Sequence, residues 1–308
     1  MSAAAASDHP SRWYTTNLVG VPAGVLGSTA FNDHPQALHI AGARECNHGL
    51  FALLDRCSQP EQARGVFEHY MAMAFGLTPP ESGPREAAAA SAEAAARLPA
   101  EQRRWRTSYL KLLQGWGLDA NGPAGAVLKG WVESRFGLTP SYHAAPLQRF
   151  PSEAWTRYLE QKCASRYHNN SIHQQLDLLY EFCQWMLRRF TSLAEALCGR
   201  AQATAAGAAQ ALDRATHAVL YRGSHDCEQQ RVSGSLRERR AVIHLNNLVS
   251  FTPERETAGC FGDWVMTARV PLVKLLLVPG LLNTASLQGE SEVLALGGDY
   301  QVELSYGP

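Results

Sequence analysis

The hydrophobic period of this chain changes once, near His217, and that change decides what it can fold into. Up to that point QARGVFEHYMAMAF, SYLKLLQGW, GAVLKGWVESRF, EAWTRYLEQKCASRY and IHQQLDLLYEFCQWMLRRF set apolar residues three and four apart, the spacing of one helix face. Beyond it come short runs rich in Val, Leu and Tyr: HAVLYRG, AVIHLNNLVSF, WVMTARVPLVKLLLV, EVLALGG and YQVELSY, broken by Gly, Pro and charged turns. The pattern predicts an α+β protein whose helical N-terminal half packs on a β-rich core. A flexible tail at 1–12, a helical region at 13–216 and the β-rich core at 217–308 follow as boundaries. Near 79–104, PPESGPREAAAASAEAAARLPAEQRR is Ala-rich, bracketed by prolines and poor in large apolar residues, so it reads as a solvated helix or a mobile insertion without chemistry.

Several function classes are excluded early. Lys plus Arg and Asp plus Glu both number 28, so no global field draws the chain to nucleic acid or to an anionic membrane. The longest apolar run, VPLVKLLLVPGLL, is too short for a bilayer and is broken by Lys274 and Pro279, so no membrane insertion is expected. The first residues lack the basic and apolar regions of a secretory signal. Seven cysteines without a CxxC pair suit reduced thiols, and the expected location is cytoplasmic. His34 with His39, and His168 with His173, are each five apart, which does not align two ligands on one helix face; no metal is expected. Neither a P-loop nor a GxGxxG turn is present.

Three polar elements stand out in the β-rich part. They are Arg222 and Gly223 in LYRG, Ser250, Phe251 and Thr252 in NNLVSFT, and Glu290 and Glu292 in GESEVL. Taken singly, each has a plain reading: a surface cation, a helix cap, a solvated strand edge. In SFTPERETAGCFG a strand runs into a short helix, with Thr252 expected as N-cap, Pro253 at the first helical position and Glu254 in the first turn. If GESE is extended, its period of two sends Glu290 and Glu292 to one face.

In that order the three elements resemble the arginine-serine-glutamate class of mono-ADP-ribosyltransferases, with SFT standing where the class commonly has STS. Longer stretches, among them YLKLLQGWG, GPAGAVLKGWVESRFGL, YHNNSIHQQLDLLYEFCQW, NNLVSFT and GCFGD, are similar to the dinitrogenase reductase ADP-ribosyltransferases over most of the chain. The resemblance implies an ADP-ribosyltransferase core that binds NAD and moves ADP-ribose to one arginine of the nitrogenase iron protein, switching it off reversibly. It also implies a PII signalling protein as a regulatory partner.

The residues suit such chemistry. Breaking the nicotinamide–ribose bond leaves positive charge on the sugar, an oxocarbenium-like state that carboxylates stabilise. By resemblance Glu292 holds the ribose 2′-hydroxyl, and its charge favours the transition state. Glu290 would orient the acceptor guanidinium and take its proton. Arg222 would grip a phosphate of NAD through its planar fork, and Ser250, with Thr252 as a second candidate, would hold the ribose and Glu292 in register. Phe251 either packs in the core, the favoured reading, or touches nicotinamide. His168–Asn170 and Asn32–His34 are polar loops that read first as turns and caps, and Cys260 as a small core residue. Two other classes stay open: an NAD glycohydrolase using water as acceptor, and a noncatalytic module that binds the iron protein or a PII protein.

Overall fold

The computed structural model describes residues 17–77, 107–143, 145–147, 152–197, 216–225, 227–283 and 291–306; the tail at 1–12, the Ala-rich stretch near 79–104 and Glu290 lie outside the described residues. Two short helices, α1 (Ala23–Leu26) and α2 (Thr29–Asp33), precede α3 (Ala43–Cys46), α4 (His48–Leu54) and α5 (Pro60–Phe75). Then follow α6 (Tyr109–Leu118), α7 (Pro123–Phe136), α8 (Glu153–Ala164), α9 (Asn170–Arg189) and α10 (Thr191–Leu197). Local chemistry sets their ends. Pro60 and Pro123 open α5 and α7 at the position where a missing N–H costs nothing, and Gly76 and Gly137 close them in the left-handed conformation. Ser108, Ser152 and Asn169 cap α6, α8 and α9 with side-chain oxygens.

The strands form an α+β arrangement with these helices. A small hairpin pairs β1 (Ser141–Tyr142) with β2 (Ala145–Pro146). The main sheet is antiparallel and contains β3 (His217–Ser224), β4 (Arg231–Ser235), β5 (Arg240–Phe251), β6 (Trp264–Pro271), β7 (Leu275–Leu277) and β8 (Val293–Tyr306). Its order is β3-β6-β8-β5-β4, with β7 also paired to β8. Two expected strands fuse: EVLALGG and YQVELSY are one long β8, because Gly297 and Gly298 form an irregularity inside it rather than a turn. One expected strand divides: WVMTARVPLVKLLLV breaks after Pro271 into a 3-10 turn at Leu272–Lys274 before β7. The freed carbonyls there are satisfied from α9, whose Gln184 Nε2 donates to the oxygens of Leu272 (3.0 Å) and Leu275 (2.8 Å) and whose Tyr180 hydroxyl donates to Val273 (2.7 Å).

Helices and sheet share one core. A single cluster of buried apolar side chains runs from Phe67 and Phe182, which stack at 4.0 Å, through Leu276 and Leu296 to Leu304. The bulge in β5, where the register against β8 shifts between Leu245 and Leu248, turns Asn246 and Asn247 toward the helical side. Asn247 Nδ2 donates to the carbonyls of Lys129 (2.8 Å) and Leu138 (3.1 Å), and Asn246 exchanges two hydrogen bonds with the backbone of Ser141. Among the described residues no helix is long and apolar enough to cross a membrane.

Candidate active site

The site forms where β3, β5 and β8 meet. Beyond the regular ladder, Tyr221 and Thr252 exchange backbone hydrogen bonds of 2.8 and 2.9 Å, which pins the end of β5 against β3. That pairing sets Arg222 beside Ser250, whose carbonyl accepts from Arg222 Nη1 at 2.8 Å. On the other side β5 runs against β8 with Ser250 opposite Leu294 and Phe251 opposite Val293, so Glu292, the residue just before β8, arrives beside Ser250. Ser250 Oγ donates to Glu292 Oε1 at 2.5 Å. Residues 28 and 42 positions apart in sequence thus converge through the Tyr221–Thr252 bridge and the pairing of β5 with β8.

Arg222 is held with capacity to spare. Its Nε is buried and has no hydrogen-bond partner among the described residues. Burial pushes the guanidinium below its usual range, against the opposing pull of Cys227 and Glu292. A desolvated cation with an orphaned donor suits an anionic substrate group such as a phosphate oxygen. Gly223 follows at a point of close approach: a Cβ there would lie 2.1 Å from the carbonyl oxygen of Ala258. The short helix α11 (Arg255–Gly259) therefore seats directly on β3, beside Arg222.

The start of α11 differs from the expected cap. Thr252 is fixed in the bridge to Tyr221, so helical geometry begins two residues later than expected and Glu254 occupies the N-cap position. Thr252 Oγ1 instead accepts from the Glu254 N–H at 3.2 Å. The Glu254 carboxylate accepts from Thr257 Oγ1 and from Ser291 Oγ, each at 2.9 Å, which ties the helix to the segment carrying the two glutamates. Ser291 has φ +48°, in the left-handed region, so the backbone just before Glu292 is not extended. Cys260 is exposed at the end of α11 rather than packed in the core, because the inward position is taken by Ala258.

Phe251 alternates to the face opposite Ser250, is buried, and meets Tyr300 edge to face at 5.9 Å. Asn169 caps α9, accepting from the Ile172 N–H at 2.9 Å. Asn32 is buried and donates to the Asp299 carbonyl at 2.8 Å; with Asp33 it borders a cavity of about 600 Å³ that includes none of Arg222, Ser250 and Glu292. One contributor had no counterpart in the sequence reading. The indole N–H of Trp116, near the end of α6, points at Ser250 Oγ (3.0 Å) and Glu292 Oε1 (3.2 Å).

Arg222, Ser250 and Glu292 are thus joined by hydrogen bonds in one cluster, and whole-chain similarity gives the family. Residues 16–198 and 202–304 match the family described as dinitrogenase reductase ADP-ribosyltransferase. The chain belongs to that family. It is 43% identical over 299 residues to the NAD(+)--dinitrogen-reductase ADP-D-ribosyltransferase of Rhodospirillum rubrum, an alignment covering 97% of this chain and 98% of that relative. No solved structure matches the chain. The match of this dinitrogenase reductase ADP-ribosyltransferase family includes α6 with Trp116 as well as β3, β5 and β8, so the helical half belongs to the family's common architecture.

Proposed function

We propose that this chain transfers ADP-ribose from NAD to an arginine of dinitrogenase reductase, and that Arg222, Ser250, Glu290 and Glu292 carry the transfer. The observation that supports this most is the short hydrogen bond from Ser250 to Glu292 at the point where Arg222 is anchored on the Ser250 carbonyl. The family membership and the name of the Rhodospirillum rubrum relative supply the target.

In this reading the Arg222 guanidinium, with its orphaned Nε, meets the pyrophosphate of NAD. Glu292 lies against the ribose of the nicotinamide half. As the C–N bond to nicotinamide lengthens, positive charge grows on the sugar, and a fixed carboxylate lowers that state more than it lowers the neutral sugar. Nicotinamide leaves with the bonding electron pair. A nitrogen of the acceptor arginine then bonds to the sugar carbon and gives up its proton, for which Glu290 is the base. A guanidinium is charged near neutrality and a poor nucleophile, so a carboxylate that orients and deprotonates it is a chemical requirement for an arginine acceptor. Water has no such requirement, and this makes the glycohydrolase reading the poorer one. A PII protein as regulatory partner belongs to the same proposal and rests on the family resemblance alone.

The two glutamates separate experimentally. Glu290→Gln is expected to keep slow nicotinamide release from NAD while arginine labelling falls by about 10²-fold or more. Parallel loss of both activities in one preparation would contradict the division of roles, and no loss of either would remove Glu290 from the site.

A further inference from the structure

The helical half does more than buttress the sheet. Trp116 is buried, and its indole N–H is shared between Ser250 Oγ and Glu292 Oε1. Ser250 gives its own proton to the same Oε1. Two donors thus converge on one carboxylate oxygen, and among the described residues they leave Oε2 for substrate. The three atoms form a closed triangle whose sides are 2.5, 3.0 and 3.2 Å.

The indole is not free to adopt this pose by chance. Its helix starts at the Ser108 cap, and the Tyr109 N–H at that end donates to buried Gln175 Oε1 at 2.9 Å. Leu112 and Leu113 are buried on the same helix. Gly115, the residue before Trp116, faces α7 so closely that a Cβ would sit 2.7 Å from the Ala124 Cβ. The ammonium of buried Lys129 lies 6.0 Å from the indole centroid and is itself held by Asn121 Oδ1 at 2.9 Å. An indole set by packing on several sides presents its N–H with little entropy left to lose, which is what a group aimed at a developing charge requires.

We propose that Trp116 is a positioning residue for the transfer: with Ser250 it locks Oε1 of Glu292, so that Oε2 is fixed against the ribose as the nicotinamide bond breaks. The proposal rests on the reading of Glu292 given above. It makes the helical half a working part of the active site, reaching Ser250 and Glu292 through one N–H.

Trp116→Phe keeps an aromatic ring and deletes the donor. In full-length protein the expected result is a fall of about 10-fold in single-turnover nicotinamide release at saturating NAD, the cost of one hydrogen bond to a charged group, with NAD affinity within about twofold. Arginine labelling falls by the same factor, since cleavage precedes acceptor attack. A folded variant with wild-type turnover, or one that loses NAD affinity at unchanged turnover, overturns the proposal. A second measurement does not depend on how well that variant folds. The chain has seven tryptophans, and comparison of indole N–H resonances between wild type and Glu292→Gln is expected to move one of them upfield, because an amide oxygen is a weaker acceptor than a carboxylate. An unchanged set overturns the contact. Wild-type turnover in Glu292→Gln would overturn the reading of Glu292 and the proposal with it, whereas an inactive Glu292→Gln beside a fully active Trp116→Phe overturns the proposal alone.

Discussion

A single hydroxyl proton wires the site: Ser250 has one to give and sends it to Glu292, while its lone pairs receive the indole of Trp116 and its backbone carbonyl receives Arg222. The consequence for Arg222 can be measured. Its guanidinium is desolvated, and its buried Nε finds no partner among the described residues, so NAD would be its main source of compensation. Arg222→Ala is expected to weaken NAD binding by about 10-fold or more while the fold persists, because removing a costly buried cation offsets the lost packing. Calorimetric titration with NAD checks this, and unchanged affinity in a folded variant would take Arg222 out of the site. At this scale Arg222, Ser250 and Glu292 were legible in the sequence through their order and through the strand-to-helix context of SFT. Trp116 was not. A tryptophan on the apolar face of a helix looks the same whether its N–H meets solvent, a carbonyl or a carboxylate, and only the docking of α6 on the sheet decides.

Glycine supplies the close approaches that bring whole elements to the site. At Gly223 the 2.1 Å gap to the Ala258 carbonyl leaves no room for a methyl group, so Gly223→Ala would have to lift α11 from β3. The expected result is a loss of about 1 to 3 kcal/mol in stability by urea denaturation, together with weaker NAD binding, because Arg222 is the preceding residue. Unchanged stability would mean that α11 does not rest on β3 as described. Elements with strong periodicity, such as α5 with Ala63, Phe67 and Met71 on its buried stripe, were readable from spacing. The start of α11 was misplaced because Thr252 and Pro253 look like a cap and a first turn locally, while the bridge from Thr252 to Tyr221 is a long-range contact. The break after Pro271 was hidden for the same reason: its carbonyls depend on Gln184 and Tyr180, on a helix far away in sequence.

Across the whole molecule the shared core gives stability a characteristic pH dependence. Lys274 is fully buried between the rings of Phe31 (5.5 Å) and Tyr300 (4.9 Å), and burial pushes its ammonium down to about 7 against a modest opposing pull from Asp299. Burial likewise brings Lys129 to about 8. In the unfolded chain a lysine stays protonated to about 10.4, so from pH 7 upward the unfolded state holds more protons than the fold and stability rises with pH. Each such lysine adds at most about 1.4 kcal/mol per pH unit. Above about pH 10 the trend turns, since burial raises Tyr158 and Tyr300 and the unfolded chain loses those protons first. Denaturation at pH 7 and pH 9 is expected to show wild type gaining more than Lys274→Met; equal gains would mean that Lys274 is charged in the fold at both pH values. The α+β class, with a helical half packed on the β-rich part, was plain from the change of period at His217, whereas which side chains meet across the two was not, since periodicity tells which face of an element is buried and not against what.

Incubation of the full-length chain with labelled NAD and dinitrogenase reductase, followed by mapping of the labelled residue, tests the central claim most directly. The account predicts label on one arginine of that protein, with release of nicotinamide, and none when Glu292→Gln replaces wild type. Nicotinamide release without any labelled arginine, or equal labelling by Glu292→Gln, would contradict it.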